Sequence, residues 1–186
     1  MLAADLLPYV LPSVQGCPTP LAQRAILDAA TEFCRRSRAC WLSQTDIVTG
    51  ADTVDVPYAV PAGQQLYMPV RILVDGRPFA NGRFSIAENV VTYTGFPSQG
   101  THSIAATWSL VPGSTDSTLP EACAERREAI ASGAKWRLLT MHETQWCNLA
   151  VASYEELLFR SGINQARIAA NKFFTDASLR VLQGKF

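Results

Sequence analysis

Hydrophobic positions follow two different periods along the chain, and the places where the period changes divide it. In residues 20–38, Ala22, Ile26, Ala29 and Phe33 recur at helical spacing, while Arg24, Asp28, Thr31, Glu32 and Arg35 lie off that line. This predicts a helix that opens with Thr19 as N-cap and Pro20 at the first helical position, and runs to about Arg38. Ahead of it, Pro8, Pro12, Pro18 and Pro20 punctuate residues 6–20, which read as turns and extended pieces with one short helical turn at the start.

From residue 41 to residue 112 the helical period is lost, and short runs of β-formers alternate with Gly, Pro and Asn. The clearest run is 66–74, followed by Asp75-Gly76, the residue pair best suited to a two-residue hairpin because both can take positive φ. Arg77, Pro78 and Phe79 begin the return, and further strands are expected at 53–56, 84–86, 90–93 and 102–110. Short strands at this spacing predict a small antiparallel sandwich or barrel, with its strand order open.

Helical spacing returns after residue 117. Thr118-Leu119-Pro120-Glu121 reads as a capping box, and Ile130, Ala134, Leu138 and Met141 mark one face, broadened by Trp136 and Leu139. Gly133 in mid-helix costs about 1 kcal/mol relative to Ala, so close approach of another element is the expected compensation. Asn148 caps a last helix to about Phe174, through Val151, Tyr154, Leu157, Leu158 and Ile168. Residues 175–186 lack the pattern and read as an extended tail, whose Leu179, Val181, Leu182 and Phe186 are the candidate partner-binding residues.

The expected fold class is therefore α+β: a helical core of one N-terminal helix and two long C-terminal helices, an inserted small antiparallel β-sandwich or barrel, and an extended C-terminal tail. Its segments are 1–40, 41–117, 118–174 and 175–186. Each long helix would extend about 40 Å. Such helices carry more apolar surface than one chain covers, and neighbouring copies would cover it.

Composition narrows the possibilities. A hydrophobic fraction of 48% and a charged fraction of 17% over 186 residues describe a chain able to build a core. A net charge of +0 gives no electrostatic reason for gripping nucleic acid, and little self-repulsion to keep copies apart. The start lacks the basic residues of a secretory signal, and no run approaches the roughly 20 apolar residues of a membrane span. Five cysteines, an odd number, fit reduced thiols in a cytosol better than a disulfide framework.

Candidate chemistry is sparse. Structural zinc uses four ligands, usually in close pairs, whereas Cys34 and Cys40 are separated by five residues and His102 and His142 stand alone, so no metal and no cofactor is expected. There is no glycine-rich phosphate loop. Asp46, Asp52 and Asp55 lack calcium-loop spacing, and Arg35, Arg36 and Arg38 suit the negative end of a helix dipole better than a phosphate. Trp41, Trp108, Trp136 and Trp146 do not interleave with basic residues, which favours core or interface anchors. No catalytic residue is assigned, and the chain is not expected to be an enzyme.

Several segments together resemble the head–tail adaptor (connector) proteins of tailed bacteriophages. They are Leu6-Leu7-Pro8-Tyr9-Val10, Gly16-Cys17-Pro18, and Ala30-Thr31-Glu32-Phe33-Cys34-Arg35-Arg36-Ser37. Val74-Asp75-Gly76-Arg77-Pro78, Leu119-Pro120 and Ala129-Ile130-Ala131-Ser132-Gly133-Ala134-Lys135 continue in the same order. Trp146, Tyr154-Glu155 and Gly162-Ile163-Asn164-Gln165-Ala166-Arg167 close the series. Arg38-Ala39-Cys40-Trp41 departs from the pattern, which places the tryptophan nearer the helix end. The resemblance implies a ring, commonly twelvefold, beneath the portal protein in the neck of the virion. There it would bind neighbouring copies and the next neck or tail protein, and DNA would pass through the lumen. Another neck or tail completion protein, or a β-domain carbohydrate-binding or hydrolytic module, are the alternative readings.

Overall fold

In the computed structural model, which describes residues 1–50, 52–79, 83–96, 100–113 and 118–179 (backbone alone for 173–179), helices flank a β region on both sides. Two 3-10 turns, Ala3–Leu6 and Leu11–Ser13, enclose the single turn α1 (Leu7–Val10) and lead to α2 (Thr19–Ser37). Strands β1 (Trp41–Gly50), β2 (Thr53–Pro57), β3 (Gln64–Val74), β4 (Arg77–Pro78), β5 (Arg83–Ala87), β6 (Val90–Thr94) and β7 (Gly100–Pro112) follow. The chain ends its described path in α3 (Glu121–Glu125), α4 (Arg127–Leu139) and α5 (Leu149–Leu179).

α2 is the hinge of the packing: α4 lies on one side of it and β7 on another. That double contact explains why it buries Ala25, Ala30 and Cys34 in addition to the line Ala22, Ile26, Ala29 and Phe33. Small side chains on two faces let both neighbours approach closely. Pro18, one residue ahead of the expected Thr19, holds the extended N-cap position. The helix stops where Arg38 turns left-handed (φ 55°) and its amide donates back to the Cys34 carbonyl at 3.1 Å.

The β region is antiparallel throughout and divides into a four-stranded sheet, β1-β7-β3-β4, and a three-stranded sheet, β2-β6-β5. Asp75 and Gly76 both have positive φ (51° and 76°), the mirror-image turn that matches strand twist, and pair Val74 with Arg77. β3 shifts register around Met68 and Pro69, where proline cannot donate to the ladder. Ser109 patches the irregularity: its hydroxyl donates to the Met68 carbonyl (2.9 Å) and accepts from the Met68 amide (3.2 Å). Aromatic rings fill the space between the sheets. Trp108 meets Tyr58 and Phe84 edge-on at 5.9 and 5.3 Å, and the Tyr58 and Tyr93 hydroxyls are 2.5 Å apart.

This arrangement corrects the expected fold class in two places, the second long helix and the start of the tail. The C-terminal half has one long helix instead of two, because α4 spans only 13 residues, about 20 Å. Arg126 (φ −117°, ψ 24°) breaks it from the five-residue α3, and Thr140 caps its other end. Of the expected sandwich or barrel, the two separate antiparallel sheets of four and three strands exclude the closed barrel and leave the sandwich. The extended tail does not begin at residue 175: α5 runs on to Leu179, since no Gly or Pro interrupts the sequence until Gly184.

The capping box at Thr118 does not form either. Thr118 pairs with Leu2 in an isolated bridge, the Leu119 amide donates to the Met1 carbonyl (2.8 Å), and Pro120 takes the N-cap position of α3. The opening residues thus compete for the backbone groups that a cap would have used.

Candidate functional site

α5 starts as its sequence predicts. Asn148 accepts from the Val151 amide through its side chain (3.2 Å) and from the Ala152 amide through its carbonyl (2.9 Å). Its buried line is Ala152, Glu155, Phe159, Ile163, Ala166 and Ala170, spaced three or four residues apart. This line lies against α4 at very short range. An added Cβ would meet the Phe159 ring at 2.7 Å from Gly133, and the Ala129 Cβ at 2.3 Å from Gly162.

Polar contacts tie α4 to α5 and to α2. Lys135 of α4 donates to Glu155 at 3.2 Å. Arg137 donates to Glu32 of α2, which also takes a bond from Arg36 (2.7 Å), and to the Gly133 carbonyl (2.7 Å). The guanidinium of Arg137 also lies over the rings of Trp136 and Phe159.

With that face committed, the opposite one is apolar and uncovered. Tyr154 is 61% exposed, Leu157 66%, Ile168 55% and Leu149 54%, with Val151 and Leu158 each at 40%. At about 100° per residue, Tyr154, Leu157 and Ile168 stand opposite the buried line, and Val151 and Leu158 flank them. Ser161, Asn164 and Gln165 interrupt the stripe between Leu158 and Ile168. Its densest part is therefore the first three turns. A shallow cleft of about 700 Å³ beside it, between the α3–α4 junction and α5, includes Arg126, Ser132, Leu158 and Gln165.

The expected apolar line Val151, Tyr154, Leu157, Leu158 and Ile168 is thus the outward face, and three alanines with Glu155, Phe159 and Ile163 turn inward. Close approach leaves no room for a side chain at Gly133, beneath Phe159, or at Gly162, against Ala129. Helical spacing alone cannot separate two apolar stripes on one helix. The signal that could have done so is the pairing of Gly133 with Phe159 and of Gly162 with Ala129 across the two helices.

The remaining candidates are scattered. Arg36 is paired with Glu32, Arg35 lies over the Tyr67 ring at 5.0 Å, and Arg38 supplies the helix stop. Asp46 accepts from Gln44 (2.8 Å) and Asp55 from Thr92 (2.7 Å), and with Asp52 they form no common site among the described residues. His102 faces Asp75 (2.7 Å) and stacks on Phe96, while His142 is exposed in the turn before α5. Trp108 is fully buried, Trp136 and Trp146 half-buried, and Trp41 37% exposed on an edge strand. Leu179 is the last residue of α5; its side chain, together with Val181, Leu182 and Phe186, lies outside the described residues.

Three of the five cysteines come together, which their spacing in the sequence did not suggest. Cys34, Cys40 and Cys123 are buried and mutually in contact, whereas Cys17 and Cys147 lie apart from them. Hydrogen bonds from the Cys123 and Cys34 thiols draw the pKa of Cys40 well below the usual thiol value. Cys34 moves the other way, through its bonds with Cys123 and Cys40 and its burial. No protein-family model and no curated protein sequence matches this chain.

Proposed function

We propose that the chain is a structural subunit of the virion neck in a tailed bacteriophage: a head–tail adaptor that joins its own copies into a ring beneath the portal and hands on to the next neck or tail protein. The apolar stripe on the first three turns of α5 carries this reading. Large aliphatic and aromatic side chains exposed together on a rigid helix favour burial against another protein. A ring requires two different, complementary surfaces on each copy, and the cleft beside Leu158 offers a second surface next to the first. The balanced charge supports close repetition and a lumen through which DNA passes without being held.

Within this reading the chain performs no bond chemistry. Tyr58, Tyr93 and Trp108 of the β region are turned inward, and its exposed rings, Trp41 and Phe84, lie on different sheets. Mass photometry of the purified chain with and without its phage's portal protein is the test. The expected result is a portal-dependent ring, lost when Tyr154 and Leu157 are both changed to Lys. Failure to bind portal at micromolar concentration would overturn the proposal.

A further inference from the structure

Three elements that are distant in sequence deliver one sulfur each to a single point. Cys34 sits in the last turn of α2, Cys40 in the bend that enters β1, and Cys123 in the middle of α3. Their Sγ atoms are 3.0 Å (Cys34–Cys40), 3.6 Å (Cys34–Cys123) and 4.0 Å (Cys40–Cys123) apart. All three are buried, at 0%, 2% and 0% exposure respectively. Among the described residues no His, Asp or Glu joins them.

Metal–sulfur bonds of about 2.3 Å separate the sulfurs around one ion by about 3.8 Å in a tetrahedron and about 4.0 Å in a planar triangle. The Cys40–Cys123 edge matches the triangle, the Cys34–Cys123 edge falls about 0.4 Å short of it, and the Cys34–Cys40 edge must open by about 1 Å to complete it. Within the hydrophobic core three polarisable sulfurs are thus gathered at one point.

We propose that Cys34, Cys40 and Cys123 form a three-sulfur binding site for one soft d10 cation, copper(I) in preference to zinc(II), which fastens the end of α2, the entry to β1 and α3 together. Donor type selects the soft ions, because thiolates favour copper(I), zinc and iron–sulfur clusters. Coordination number then separates copper(I) from zinc. A structural zinc site closes with four ligands, and this buried cluster supplies three. Copper(I) is satisfied by three sulfurs. Each metal–sulfur bond formed at a protonated cysteine releases that proton to solvent, and no electron is transferred.

The test is anaerobic titration of the reduced, full-length chain with the copper(I)–bicinchoninate complex. The chain should withdraw about one equivalent of copper(I) from the competitor. X-ray absorption should then count three sulfurs and no lighter neighbour. Transfer should persist in the Cys17→Ser/Cys147→Ser variant and be lost in Cys40→Ser and in Cys123→Ser. Circular dichroism establishes that each variant is folded. If a serine variant does not fold, the sulfur count on the unaltered chain decides alone. No withdrawal of copper, fewer than three sulfurs, undiminished transfer in a folded Cys123→Ser chain, or zinc held more tightly than copper(I) through added nitrogen or oxygen ligands would each overturn the site.

Discussion

Gly133 and Phe159 meet so closely that a Cβ on the glycine would lie 2.7 Å from the ring edge. Phe159 is fully buried, with Trp136 at a 6.4 Å ring separation, so it has no room to withdraw. Gly133→Ala gains about 1 kcal/mol in helix propensity but forces an overpacking cost of about 1–3 kcal/mol. The variant should have a lower thermal midpoint than the parent, and Phe159→Leu in the same chain should recover part of the loss. A midpoint equal to or above that of the parent would show that α5 can move off α4 without penalty.

Lys135 and Glu155 make a second prediction at the same helix pair. Glu155 is 8% exposed, and its Oε2 has no partner among the described residues, so its charge depends on Lys135. Removing only the cation with Lys135→Met should destabilise the chain by about 3 kcal/mol, because a buried carboxylate is left unpaired. Replacing both, Lys135→Met with Glu155→Leu, should restore most of it. Chemical denaturation of the two variants gives the comparison, and equal losses in both would refute the pairing argument.

The hairpin turn should be sensitive to acid. His102 hydrogen-bonds the Asp75 carboxylate, and with the Ser103 amide (2.9 Å) it holds the Asp75 pKa below the ordinary carboxylate value. A depressed folded-state pKa means that the stabilisation is fully present above the unfolded value of about 3.9 and is lost as pH falls through the folded value. The midpoint difference between the parent and Asp75→Asn should shrink as pH falls below about pH 4. A difference that grows between about pH 4 and pH 2 would contradict the direction of the shift.

On the free face of α5, Tyr154→Lys and Leu157→Lys should leave stability within about 0.5 kcal/mol of the parent, since neither side chain supports the core. Thermal unfolding checks this without any partner present. A large loss would place these residues inside the subunit's own packing.

Much of the fold was legible where local chemistry decides it. The Asp75-Gly76 turn, the Asn148 cap and the close contact at Gly133 all follow from one or two residues. The errors arose where distant segments compete. Thr118 could not cap α3 because Leu2 and Met1 take the adjoining backbone groups. The inward face of α5 was decided by α4, and the cysteine cluster by three segments whose meeting leaves no trace in their spacing. Length also misled: Arg126 has no composition that announces a break, yet it ends α3.

β1 pairs with β7 along its whole length, from Trp41 with Ser109 at the helices to Gly50 with Gly100 at the far end. The polypeptide therefore departs from the helices and comes back through one doorway, latched by the Leu110 amide on the Cys40 carbonyl at 2.8 Å. Ten paired residues carry the outer end about 30 Å from that doorway. Insertions or deletions out there lengthen or shorten an arm without moving either doorpost, and loop closure penalises them only weakly. Evolution is free to retailor the reach of this protein while its helical base stays the same.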